Sequence, residues 1–303
     1  MSLFAGAIMS SCKHDNIKDQ LGPDYCSNVV DPFTRNVSRH DTLNFTKSGF
    51  DTLKAKISGN LAWNITLRGR KSGAVKRYKG VTADVLQYWK GDSDTMAFFQ
   101  KDEYVDYAFS HNCQPVQYKS VLLASNPDYS KFGYLINDFD GNRDQLVTTK
   151  LSCNILNTTD SIFVGTSTEF PAMQGQGFGR MAGTPIAWYF GEYNFSSLVS
   201  KVSSRLGTSN PAEVYINFFV NSNGCSTNLP LLRFVETGKQ RDFKFPVSPQ
   251  KGWTFVSKKL SEMGVVDVSK MASMIISVGP SESGKPVDLS VDFVIFTKDK
   301  PLM

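Results

Sequence analysis

Histidine, paired cysteine and long apolar runs are all scarce in this 303-residue chain, and each scarcity narrows the function. The three histidines are His14, His40 and His111. A Ser-His-Asp or Cys-His device would have to use His111 in "FSHNCQP", a setting that suits a turn better than a catalytic centre. The cysteines, Cys12, Cys26, Cys113, Cys153 and Cys225, include no Cys-x-x-Cys pair, so the zinc signature is missing and the pairing of the last four stays open. Beyond the N-terminal segment, nothing is long and apolar enough to span a bilayer. Charge is mild: a net +5 spread over both signs falls short of a concentrated basic face, so nucleic acid is not an expected partner.

Two near-motifs fail. In "NDFDGNRD", Asp138, Asp140 and Asn142 alternate like the start of an EF-hand, yet the positions of its glycine and bidentate glutamate hold Arg143 and Thr149. A looser calcium site, in which Asp138 or Asp140 meets Asp292, stands beside the plainer reading of solvated acids; no other cofactor is expected. The glycines of "MQGQGFGRMAG" (173–183) lack the strand-to-helix setting of a phosphate loop and are expected in a flexible loop across one end of a sandwich, where binding residues collect. Glu103, Glu169 and Glu213 sit in no recognisable catalytic pair, so the chain is expected not to be an enzyme, with a glycan-active hydrolase as an alternative.

What is present is apolar matter for sizeable cores, 41% hydrophobic and 12% aromatic residues. The start, "MSLFAGAIMSSC", runs through apolar and small residues to Cys12 and resembles the lipobox of bacterial lipoproteins. That resemblance implies a signal peptide over 1–12 and a lipid anchor on Cys12 at the outer membrane. Residues 13–40, polar and broken by Pro23 and Pro32, are expected as a tether. From Thr42, short runs alternate with period two: Leu53, Ala55 and Ile57; Trp63, Ile65 and Leu67; Val105, Tyr107 and Phe109. They predict a first all-β domain over 41–133, ending in the turn-rich joint 124–133. In 134–303, Val214, Ile216, Phe218 and Val220 are expected on one face of a strand, and Val287, Leu289, Val291, Phe293 and Ile295 on one face of another. Helical signal is confined to "NFSSLVSKVSSRLG" and turns at "SEMG" and "DVSKM", and no βαβ alternation appears. The expected fold is all-β, two successive sandwiches.

"TPIAWYFGEY" concentrates Trp188, Tyr189 and Tyr193, with Phe178 and Arg180 just upstream and Asn194 just after. Flat rings stack on the C–H faces of sugars, and Arg180, Glu192 and Asn194 would add planar hydrogen-bonding groups. Period two would instead send half of the rings into a core. The hairpin "RGRKSGAVKRYK" carries Arg68, Arg70, Lys71, Lys76, Arg77 and Lys79. Either it meets an anionic glycan or membrane, or its charges discourage edge pairing; the second reading is preferred.

Four pieces in order, "NDFDGN", "AWYFG", "EVYINFFV" and "FKFPVSPQKGWTFVSKKLSEMG" with the terminal "VDFVIFT", resemble surface glycan-binding lipoproteins of Gram-negative polysaccharide-utilisation systems. The likeness rests on Phe139-Asp140-Gly141, Gly252-Trp253 with Leu260-Ser261, and Asp292. It implies a C-terminal galactose-binding-like jelly roll over 134–303, preceded by an immunoglobulin-like β-sandwich. It further implies non-catalytic capture of a polysaccharide or oligosaccharide at the cell surface, within an outer-membrane transport or adhesion complex. Trp188 and Tyr189 become the platform, and Trp253 a structural ring. A structural or adhesive surface protein that binds protein partners is the alternative.

Overall fold

The computed structural model describes residues 31–35, 42–57, 61–95, 98–111, 114–127, 129–141, 148–151, 163–185, 191–250 and 252–303. Cys12 with its expected signal peptide, most of the tether, Cys26, Cys113, Cys153, Trp188 and Tyr189 lie outside them. Among the described residues no helix is long and apolar enough to cross a membrane.

The first domain runs β1 (Asp31–Arg35), β2 (Thr42–Leu43), α1 (Phe45–Ser48), β3 (Asp51–Lys56), β4 (Ala62–Gly69), β5 (Val75–Val81), β6 (Asp84–Trp89), β7 (Tyr104–His111) and β8 (Gln114–Leu123). Its sheets have the orders β1-β3-β6 and β2-β8-β7-β4-β5. The three alternating runs read from the sequence all point into one core, because period two puts one side of each strand between the sheets. Trp89 fills its centre, edge-on to Phe45, Phe99 and Tyr107. β1 pairs with β3, so residues 31–35, expected in the tether, belong to this sandwich. Glu103 is buried and accepts from the backbone N–H groups of Lys71, Ser72 and Gln100 and from Ser72 Oγ. Such a carboxylate ties down the basic hairpin's turn.

The second domain comprises β9 (Tyr134–Asn137), β10 (Thr148–Leu151), β11 (Phe163–Ser167), β12 (Phe178–Gly183), β13 (Gly191–Asn194), α2 (Ser196–Val199), α3 (Val202–Leu206), β14 (Val214–Asn221), β15 (Asn228–Glu236), β16 (Lys239–Lys244), β17 (Thr254–Lys259), β18 (Met271–Pro280) and β19 (Val287–Lys298). A five-stranded sheet, β10-β13-β18-β15-β16, faces a six-stranded one, β11-β12-β19-β14-β17 with β9 added on β19. The result is an all-β sandwich of jelly-roll type. Val214, Ile216, Phe218 and Val220 line its core as expected.

β19 departs from the simple alternation. Its pairing with β14 shifts register where Phe293 takes φ 49°, a bulge that reverses which side each later residue faces. Leu289 and Val291 enter the core, as expected, but beyond the bulge the core residues are Val294 and Phe296. Phe293 and Ile295, expected beside Leu289 and Val291, point to the other side of the sheet. There they join Phe98 and Tyr129 from the first domain and joint, with Phe219, in a separate buried cluster. Phe98 touches Tyr129, Phe219 and Phe293 at ring separations of 4.9, 5.3 and 4.9 Å. Burying one such ring is worth about 1.5–3 kcal/mol. Phe98 and the joint thus cover the outer face of the six-stranded sheet around Phe219, Phe293 and Ile295, and no such cluster forms on the outer face of the five-stranded sheet among the described residues.

Candidate functional site

Strand register decides which side chains share that outer face. Glu192 on β13 lies opposite Ser277 on β18, which pairs with Leu231 on β15 and through it with Lys244 on β16. The next row is Asn194, Ile275, Arg233 and Asp242. Their neighbours Tyr193, Ile276, Leu232 and Phe234 are core residues, which fixes both rows outward.

At the β16 edge of the face is a planar ion pair. Arg233 Nε donates to Asp242 Oδ1 at 2.7 Å and its Nη2 to Oδ2 at 2.8 Å. The hydrogen bonds from Arg233 hold the Asp242 carboxyl below the ordinary carboxylate range. Asp242 is therefore a fixed anion and no proton donor. At one end of the face a cleft of about 680 Å³ opens between β15, β16 and the segments that follow β16 and β18. Leu229, Leu231, Pro246, Val247 and Pro280 make it apolar, with Lys244 and Glu282 among the polar lining residues. Apolar ground beside a few fixed polar groups is the usual makeup of a small-ligand site.

The predicted binding residues divide. Glu192 and Asn194 are on this face, although Asn194 Oδ1 accepts from Ser196 N–H at 3.0 Å in a turn just ahead of α2. Tyr193 and Phe178, expected to stack on a ligand, are buried. The Tyr193 hydroxyl donates to the carbonyls of Gly165 and Arg180, and its ring packs on Phe139. Phe178 stacks on Phe170 at 4.3 Å. Arg180 lies on β12 in the opposite sheet, where it forks onto Asp288 and pairs with Glu169. Neighbouring residues in a strand point opposite ways, so one short stretch of sequence cannot keep all of these groups together. Trp253, expected as a structural ring, donates through Nε1 to Pro171 and packs against Phe178. Arg233, Asp242 and Ile275 escaped the sequence reading; the alternation of β15 and β18 was the available signal.

The acids named for calcium divide as well. Asp138 Oδ1 accepts from Asp140 N–H in a local turn. Asp140 accepts from Gln176 and Gly177 N–H, and Asp292 from Met173 and Gln174 N–H. Two carboxylates therefore pin residues 173–177, and 178–183 form β12, where a flexible loop was expected. Burial pushes the Asp292 carboxyl well above its ordinary range, and the charge of Asp140 adds to the effect. Asp292 Oδ1 and Gln174 Oε1 are buried without a hydrogen-bond partner. Oxygen donors left in this state fit a hard cation such as calcium. Among the described residues no three His, Cys, Asp or Glu side chains converge on one point.

No protein-family model and no curated protein sequence matches the chain. Solved structures give distant likenesses. One, of carbohydrate-binding modules from the β-sandwich superfamily, has 13% identity and a TM-score of 0.39 over 88% of this chain and 97% of its own. A family 11 carbohydrate-binding module from Clostridium thermocellum, solved with a mixed-linked tetrasaccharide, has 11% identity and a TM-score of 0.37 over 55% of this chain and 95% of its own. A xylan-binding domain from Paenibacillus barcinonensis has 14% identity and a TM-score of 0.34 over 56% and 97%. Likeness at this level carries no function across, so function has to be read from the sheet face itself.

Proposed function

We propose that the C-terminal sandwich binds a polysaccharide or oligosaccharide across the outer face of its five-stranded sheet, without catalysis. One observation carries this reading: the outer face of the five-stranded sheet joins a fixed planar Arg233–Asp242 pair and Glu192 to the apolar cleft at Leu229 and Leu231. Sugars offer apolar C–H faces ringed by hydroxyls, and this surface offers both complements. Trp188 and Tyr189 remain proposed stacking rings. Calcium is proposed between Asp140, Asp292 and Gln174, where it would fix residues 173–177. The Cys12 lipid is proposed to hold the chain at the outer membrane; Cys12→Ala should then move the protein out of the membrane fraction.

The test is calorimetry over a panel of neutral plant and host glycans. Arg233→Ala and Leu231→Ala should each weaken binding about tenfold, and Trp188→Ala and Tyr189→Ala by a similar factor. Glycan binding unchanged in Arg233→Ala and Leu231→Ala would remove this face. An absence of binding to any glycan would turn attention to protein partners.

A further inference from the structure

The exposed hairpin of the first domain belongs to a second surface. β5, β4, β7 and β8 lie side by side, and their register sets outward residues in rows. Arg77 on β5 pairs with Thr66 on β4, Thr66 with Ala108 on β7, and Ala108 with Tyr118 on β8. In the next row Lys79 pairs with Asn64, and Asn64 with Ser110. Ile65, Leu67, Tyr107 and Phe109 occupy the core, so these rows face away from it.

A floor of short polar and small side chains, Asn64, Thr66, Ala108 and Ser110, therefore runs between a basic wall on β5 and Tyr118 on β8, which is 72% exposed. With strands about 4.8 Å apart, the walls stand roughly 14 Å from each other. Arg77 and Lys79 are exposed and make no side-chain ion pair among the described residues; the neighbouring Arg70 is neutralised by Asp106 at 2.8 Å. Edge protection explains charge on β5. It does not explain an exposed tyrosine set across a floor of short side chains from that charge.

We propose that this trough on the first domain binds an anionic polysaccharide, its sulfates or carboxylates meeting Arg77 and Lys79 and a sugar ring lying on Tyr118. Charge complementarity selects an anionic ligand, and a walled trough with an aromatic side favours a single chain over a flat bilayer. The site is independent of the five-stranded face of the second domain.

The experiment uses the full chain in affinity electrophoresis with heparin and polygalacturonate, neutral xylan as control, and phosphatidylglycerol vesicles as the membrane arm. The parent should be retarded by at least one polyanion, less so as salt rises. Arg77→Ala/Lys79→Ala should weaken that binding about tenfold and Tyr118→Ala roughly fivefold. Lys47→Ala/Lys201→Ala, with the same net charge removed elsewhere, should leave it unchanged. Ala108→Glu puts an anion on the floor with every cation retained and should abolish binding without lowering the melting temperature. Arg233→Ala should have no effect, which separates this site from the second domain's. The proposal is overturned if neither polyanion retards the parent, if the Lys47/Lys201 variant loses as much as Arg77/Lys79, or if only the vesicles bind.

Discussion

β14 and β15 stand in opposite sheets of one sandwich, yet they meet different surroundings. From Ile216 to Asn221, β14 is buried on both sides, its even residues in the sandwich core and Phe219 under Phe98. β15 alternates, with Leu232 and Phe234 inside and Leu231, Arg233 and Val235 half-exposed outside. A sheet face is open or closed according to what packs on it. Here Phe98 and the joint close β14's outer side, while β15's outer side stays half-exposed.

The sharpest way to break the comparison is to put the same charge on both faces. Phe219→Asp places an unpaired carboxylate in the buried cluster and should cost about 4 kcal/mol or more, enough to part the domains or unfold the chain. Ile275→Asp on the open face should change stability by less than about 1 kcal/mol while weakening glycan binding. Urea denaturation of the two variants measures the difference, and equal costs would mean that the faces do not differ.

A smaller effect concerns Asp292, buried opposite Phe219. Calcium at about a hundred times its dissociation constant should stabilise the parent by about 2.7 kcal/mol. Asp292→Asn, which keeps an acceptor for the Met173 and Gln174 N–H groups, should lose that response. Melting curves with calcium and with chelator decide it, and a parent indifferent to calcium would remove the proposed cation.

The smallest effect belongs to the open face. The Asp242 carboxyl is held down by Arg233, so its folded value lies below the 3.8 of an ordinary Asp. A depressed folded value means stability present above pH 3.8 and lost as pH falls through the folded value. Asp242→Asn should flatten that acid limb slightly and leave stability above pH 5 nearly unchanged, because the pair is partly exposed and screened. Acid titration of unfolding reads both outcomes.

Much of the architecture was legible beforehand. Alternation at Trp63, Ile65 and Leu67 or at Val214, Ile216 and Phe218 is a local property of a strand, and each of these residues is in a core. The helical stretch 194–207 was visible too, although it breaks into α2 and α3 with Gly207 capping the second at φ 65°. The candidate site was far less legible. Of the described residues expected to bind, Glu192 and Asn194 reach the open face, while Arg180 is in the opposite sheet.

By itself the sequence determined that the chain is all-β, where its clearest core strands run and which near-motifs fail, because side-chain periodicity and motif spacing are properties of neighbouring residues. Tertiary structure decided the rest. The bulge at Phe293 exchanged the sides of β19, Phe98 covered Phe219 and Phe293, and long-range register set Arg233 beside Ile275 and Asp242. Period two says that a strand has two sides, but it cannot say what lies against each or which distant strand is its neighbour.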